Sequence, residues 1–451
     1  MSKNVQPSSA EKQVHVPYPN SVQNTSFIRP SDNAFLMRYA YVLAFLLLAF
    51  VSRSILMYAF VAVHDDERHY AVDGMWVKAK LPSWIILRDV LYRHANPHPF
   101  YNPRTDQLGY HGKIQKGYPK GKGGLGPFRR GGHPPLYMLL LGMLYYFLPQ
   151  TWLIAGDNLV HVARVFNIAL DLVGQFFIFD ILWRYFGKRL ALVFLVIIGT
   201  LPYTLIYGSL AYLDSPGTLF ATLSIWFYLK TACYSEKLYH WLILACLVLL
   251  SVLIKQSNLI VMLALPGVML IFPPHLSRTK LWTFLLWAAI CAGIIFFIFS
   301  SPKALYRETR RMVLRMDNKI NPSKAFRQLA LPFQPKKHYH IGRTRHNGRP
   351  YVKSRLLIRI YEVGMPLIAA VIYLSAFTLI ARRGFRAAPL ILTLLLFVVA
   401  IPLGSHIRRL YILVPFAVLI VAMTFSDVLA IISNQKDSRK EMHHKQIEQD
   451  P

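Results

Sequence analysis

Three consecutive carboxylates, Asp65-Asp66-Glu67, follow directly on an apolar block and are flanked by His64, Arg68, His69 and Tyr70. Like charges this close raise one another's pKa, which favours one of them as a proton acceptor. The same oxygens suit a divalent metal. A solvated boundary that stops an apolar helix sliding into lipid fits the cluster equally well. A second cluster is Gly132-His133-Pro134-Pro135-Leu136-Tyr137. His133 at headgroup level could donate to an anion or bind a metal. A helix start bounded by proline is the plainer reading.

Single residues add to these clusters. Arg164 begins an apolar block, and its guanidinium matches phosphate oxygens in a fork, although an Arg there can also snorkel to the interface. Asp214, ahead of Ser215-Pro216-Gly217, reads as a helix N-cap or as a second acidic site. Lys255 closes one block, and His406-Ile407-Arg408-Arg409-Leu410-Tyr411 precedes another. Asp171 and Asp180 lie inside a block, where acids face a cavity or a partner. Taken together, two acidic sites and several cations are what is needed to hold a lipid-linked phosphate while deprotonating an acceptor.

The elements that must position these residues follow from composition. Hydrophobic residues make up 54% of the 451 residues and charged residues 16%, and mean hydropathy is +0.35. Soluble domains run near ~25% charged, so a soluble, disordered or disulfide-stapled protein is excluded. Long apolar blocks predict an all-α integral membrane protein with ten spans: 39–63, 165–183, 190–211, 217–233, 239–255, 258–273, 281–300, 356–380, 387–404 and 410–433. Residues 1–34 are polar and read as a disordered tail without signal-peptide features. The membrane module is expected over 35–433 and a cytoplasmic tail over 434–451.

There are 51 Lys and Arg against 21 Asp and Glu, a formal net charge of +30. More than half of the basic residues lie in 64–134 and 301–355. No base-reading motif accompanies them, so the expected partners are anionic lipids or glycans and the membrane surface, not nucleic acid. Short loops bearing Arg184, Lys188, Lys230, Lys237, Arg278 and Arg382–Arg383 predict the cytoplasmic side. The stretches 64–160 and 301–355 are then two large outer loops. Residues 135–149 are too short to span and read as an interfacial helix in the first of them. Cys233, Cys246 and Cys291 offer neither a disulfide framework nor a CxxC metal pair.

The order of these residues resembles the GT-C glycosyltransferases that use a polyprenyl-phosphate sugar, notably the protein O-mannosyltransferases and the transferases that add aminoarabinose to lipid A. Asp66-Glu67-Arg68-His69-Tyr70-Ala71 is similar to that family's Asp-Glu-x-x-Tyr-Ala signature, and His133-Pro134-Pro135-Leu136-Tyr137 to its (His/Lys)-Pro-Pro-Leu-Tyr motif. Arg164, the turn from Tyr207 to Leu219, Lys255 and Arg408 fall where the family's later motifs do. The resemblance implies an inverting sugar transfer from a polyprenyl or dolichyl monophosphate. Asp66 would be the base, supported by Glu67, while Asp214 would position the acceptor. A divalent metal shared by Asp66, Glu67 and Asp214 is an added option. His133, Arg164, Lys255 and Arg408 would neutralise the departing phosphate, with Asp65, Tyr70, Tyr137 and Arg409 in support. The implied location is a bacterial plasma membrane or the endoplasmic reticulum, with the site on the outer or luminal side. A transporter or flippase for an anionic lipid or glycan is the alternative, to which Asp171 and Asp180 would be suited.

Overall fold

A helix whose backbone is hydrogen-bonded within itself is what long apolar blocks must form in lipid. The computed structural model describes residues 32–63, 67, 70, 71, 74, 75, 77, 136–153, 158–255, 258–274, 289, 322–338, 352–400 and 407–449. Twelve helices are named here: α1 (Asp32–Phe60), α2 (Leu136–Tyr146), α3 (Asn158–Phe186), α4 (Lys188–Thr200), α5 (Pro202–Tyr207), α6 (Asp214–Lys230), α7 (Leu238–Ile254), α8 (Leu259–Ile271), α9 (Pro322–Leu329), α10 (Arg355–Arg383), α11 (Ala388–Ala400) and α12 (Val414–Gln449). A 3-10 segment, Ile407–Leu413, leads into α12.

Among the described residues four helical stretches are long and apolar enough to cross a membrane: Tyr39–Phe60, Asn158–Phe186, Arg355–Arg386 and Ile407–Ser433. This is an integral membrane protein. The expected span 281–300 lies outside the described residues, apart from Ala289, as do residues 1–31 of the expected tail 1–34 and the parts of 64–134 and 301–355 not given above, while residues 32–34 of that tail begin α1.

The chain divides into two compact units, Met1–Phe45 and Leu46–Pro451. The first contributes the N-terminal part of α1. All contacts given below lie within the second. There α3 packs on α4 and α6, α6 on α7, α8 on α11, and α10 on α12.

One expectation changes. Residues 190–211 do not form one helix. Leu201, extended at φ −59° and ψ 128°, breaks the run before Pro202, because the proline ring pushes its predecessor out of the α region. Residues 208–213 then form an irregular turn. Residues 322–338, part of the expected loop 301–355, pack on α10. The Tyr373 hydroxyl donates to the Leu329 carbonyl at 3.0 Å, Phe333 stacks on Tyr373, and the buried His338 meets the Tyr361 hydroxyl at 2.6 Å. This segment therefore follows α10 over the twelve residues from Tyr373 back to Tyr361, about 18 Å of helix.

The 11-residue α2 spans about 16 Å, half of a ~30 Å hydrocarbon core. It packs against Ala71, Met75 and Val77 and against the start of α3. Gly74 and Gly142 permit the approach: a Cβ on Gly142 would sit 2.6 Å from Val77 Cβ, and one on Gly74 would sit 2.7 Å from Leu141 Cβ. The Tyr145 hydroxyl donates to the Leu159 carbonyl at 3.1 Å and secures α2 to α3.

Candidate active site

One face of α3 carries Arg164, Asn167, Asp171 and Gln175, all buried. Their spacing of three, four and four residues places them in a single row along the helix. Polar groups at this depth need partners; Arg164, Asn167 and Asp171 each hold a different segment in place, and Gln175 donates to Asp171 within the same helix at 2.7 Å.

Arg164 uses all five of its N–H donors. Nε and Nη2 bind the two oxygens of Glu67 at 2.8 and 2.6 Å. Nη1 donates to the carbonyls of Met57 and Val61 at 3.0 and 2.8 Å, and Nη2 to that of Ala62 at 2.9 Å. The side chain therefore caps the C-terminus of α1, where carbonyls lack helical partners and a cation is favoured. These N–H groups, expected to clamp a phosphate, are all engaged within the protein. Because one guanidinium reaches both the end of α1 and the start of α3, the chain leaves and re-enters at the same end of the bundle. The turn from Phe60 is fastened there too, since Val61 pairs with Val352 and the Lys353 N–H reaches the Phe60 carbonyl at 2.8 Å.

Glu67 has a second function. Its Oε1 accepts the Ala211 N–H at 2.9 Å. Asn167 Nδ2 donates to the carbonyls of Leu210 and Tyr212 at 2.6 and 2.8 Å, and the Ser215 hydroxyl donates to the Asn167 carbonyl at 3.1 Å. Irregular backbone is tolerated at membrane depth only when protein groups satisfy it in this way. The immobilised turn 208–213 delivers Asp214 to the first residue of α6. Asp214 does not act as the N-cap. Its carboxylate binds the Lys255 ammonium, and both are largely buried. Lys255, read as snorkelling or phosphate-binding, is thus paired, yet its amine also feels the positive charge of Arg408 and Arg409. The Arg408 guanidinium lies 3.8 Å from the centre of the Tyr212 ring, a cation–π contact. Tyr70 sets its edge against both Tyr137 and Tyr212.

Glu67, Tyr70, Tyr137, Arg164, Asp214, Lys255, Arg408 and Arg409 are therefore brought together at one end of the bundle. Asp65, Asp66 and His133 lie outside the described residues. Asp171 and Asp180 are both paired, Asp171 with Arg53 at 2.6 Å and Asp180 with Arg184 at 2.8 Å and with Trp226 Nε1 at 2.8 Å. Sequence reasoning missed Arg53, Asn167 and Gln175. A lone Arg inside the first apolar block was the available signal, since such a residue requires an acidic partner. Metal ligation by Glu67 and Asp214 does not suit the donor set, because both carboxylates already neutralise a cation of the protein. Among the described residues no group of three or more His, Cys, Asp or Glu side chains comes together.

Residues 133–305 match the family model described as dolichyl-phosphate-mannose-protein mannosyltransferase. The matched stretch contains His133, Arg164, Asp214 and Lys255, while Asp66 and Arg408 fall outside it. This is the family named by the resemblance read from the sequence. No curated protein matches the chain. Among solved structures, the archaeal oligosaccharyltransferase AglB from Archaeoglobus fulgidus, in complex with an inhibitory peptide and a dolichol-phosphate, is similar at 13% identity and a TM-score of 0.46. The likeness covers 90% of this chain and 52% of AglB, so the chain spans about half the length of that structure.

Proposed function

We propose that this protein is a membrane glycosyltransferase that moves a sugar from a dolichyl or polyprenyl monophosphate to an acceptor hydroxyl, with inversion, at the end of the bundle where Asp214 and Lys255 pair. The observation that carries the reading is the charge gathered at that pair: Lys255 binds the Asp214 carboxylate, and Arg408 and Arg409 lie close enough for their positive charge to act on the Lys255 amine. A sugar-bearing lipid phosphate is a diester with one negative charge, and the phosphate that leaves is a monoester approaching two. Cations fixed beside the phosphate bind the more highly charged departing group more tightly than the donor. That difference lowers the barrier, where uniform binding would not.

In the step itself, the acceptor oxygen forms a bond to the anomeric carbon and its proton passes to Asp66. The bond from that carbon to the phosphate oxygen breaks, leaving its electron pair on the phosphate. Glu67, held by Arg164, keeps the segment next to Asp66 in register with the 208–213 turn. His133, at the entry to α2, would complete the phosphate site. No step is routed through a metal. The basic short loops at the opposite ends of the helices support a cytoplasmic location for them, and hence an outer or luminal site. Asp171 and Asp180, which would have suited a transporter, are both paired within the fold.

The test is turnover with purified donor lipids supplied one at a time and mass analysis of the product. Asp66→Asn should abolish transfer in a protein that still melts cooperatively. Full turnover by that variant would refute the assignment of the base.

A further inference from the structure

Arg53 and Asp171 have no part in the transfer just described, yet they centre a buried polar cluster outside it. Asp171 Oδ2 accepts from Arg53 Nη1 at 2.6 Å and from Gln175 Nε2 at 2.7 Å. Oδ1 accepts the Tyr411 hydroxyl at 2.6 Å. The second Arg53 nitrogen reaches the Gly199 carbonyl at 3.2 Å, where α4 breaks. A buried ion pair is weak evidence for stability, since apolar side chains of similar volume serve as well or better. It does supply a fixed direction: with Oδ2 held from two sides, Oδ1 can point only at Tyr411.

Tyr411 and Arg408 share the 3-10 segment Ile407–Leu413. Three residues make one turn of such a helix, so the two side chains stand on the same face about 6 Å apart along its axis. Tyr203 adds a second anchor through its hydroxyl, which donates to the Ile407 carbonyl at 3.3 Å. Gly208, the first residue of the turn that leads to Asp214, has its backbone pressed onto the same hydrogen bond. A Cβ there would collide with the Tyr411 hydroxyl and lie 2.8 Å from the Asp171 carboxyl carbon. One contact point therefore sets the position of both the turn and the 3-10 segment.

We propose that the Arg53–Asp171 pair, acting through the Tyr411 hydroxyl, is a positioning device that fixes where Arg408 meets the phosphate of the lipid donor. The proposal rests on the transfer reading for the identity of that phosphate. Arg408 touches the ligand, and Tyr411, Asp171 and Arg53 act through it.

The experiment is binding of a short-chain polyprenyl monophosphate to the purified full-length protein in detergent, with the uncharged polyprenol as reference. Arg408→Ala should weaken binding of the monophosphate and leave the polyprenol unaffected. Tyr411→Phe should weaken the monophosphate about tenfold, the scale of a small misplacement of a binding group, again sparing the polyprenol. In the double variant Tyr411→Phe should have no further effect. If Tyr411→Phe bound like the wild type, or its effect added in full to that of Arg408→Ala, the positioning role would be refuted while the phosphate site stood. If the wild type did not prefer the monophosphate, or Arg408→Ala changed nothing, both readings would fall. Should Tyr411→Phe not fold, the pair Arg53→Met with Asp171→Leu removes the anchor without stranding a buried charge. It should show the same selective loss, and undiminished monophosphate binding by it would overturn the proposal.

Discussion

Both ends of the helical bundle carry acid–base pairs, and they use them in opposite ways. At the candidate site Glu67 and Arg164 are 0% and 1% exposed, and every donor of the guanidinium is matched. At the far end Asp180 binds an Arg184 side chain that is 46% exposed. Lys230 lies over Trp226 at 4.3 Å, Lys188 over Trp183 at 5.7 Å, and Lys237 over Tyr239 at 5.9 Å. The far end has the character of a membrane interface, with aromatic rings at headgroup level and flexible cations reaching toward water. The site end excludes water and uses charge to hold backbone. The lesson is that the same residue types are structural or superficial according to burial, because the cost of an unpaired charge depends on it.

The contrast can be broken most decisively at Arg164. Arg164→Met leaves the buried Glu67 without its guanidinium and uncaps α1, and should destabilise the protein by about 3–5 kcal/mol. Arg164→Lys should rescue it only in part, since an ammonium cannot reproduce the fork. Thermal unfolding in detergent reads both, and a melting temperature equal to the wild type would show that the pair is not the fastener described here. Next in size is the seam between α2 and residues 74–77. Gly142→Ala should cost about 1–3 kcal/mol through overpacking and raise hydrogen exchange in α2. Unchanged protection would mean that the seam is looser than its geometry.

A smaller effect concerns His338. Its Nε2 faces the Leu331 carbonyl at 2.9 Å, which can only accept, so this nitrogen carries the proton and Nδ1 accepts from the Tyr361 hydroxyl. Burial lowers its pKa, opposed in part by the Leu331 hydrogen bond. A histidine depressed in the folded state takes up its proton more readily when unfolded. The His338 contribution is therefore complete above its unfolded value of about 6.5 and declines as pH falls through and below it. The melting temperature should drop over that acid range, and His338→Gln should flatten the slope. At the small end, Arg184→Ala should change stability by no more than about 1 kcal/mol. A loss as large as that of Arg164→Met would erase the distinction between the two ends.

Much of the architecture was readable in the residue order, because apolar blocks have few conformations open to them in lipid. Each expected span that falls among the described residues is helical over most of its length, apart from the break at Leu201–Pro202. Clustering of Asp214 with Lys255 and the 408–409 pair was also anticipated. Partnership was not. Nothing in spacing alone tells that Arg164 faces Glu67 rather than a ligand, since the two are far apart in the chain and meet only when α1 and α3 pack. Arg53 illustrates the same point: it sits in a run whose apolar character dominates any local window, and its role emerges only with Asp171 from another helix. Gly74 and Gly142 were unremarked for a related reason, because a small residue announces a close approach only once the opposing surface is known.

The clasp between Phe60–Val61 and Val352–Lys353 has a consequence for synthesis. A ribosome adding about 5–20 residues per second needs on the order of 15–60 s after finishing the first helix before the strand partner exists, and longer still before Tyr411 emerges. Arg53 can meet Asp171, 118 residues on, and the end of the first helix can meet Arg164, well before the clasp closes. Completion of the pocket is therefore among the last events in the maturation of the nascent chain.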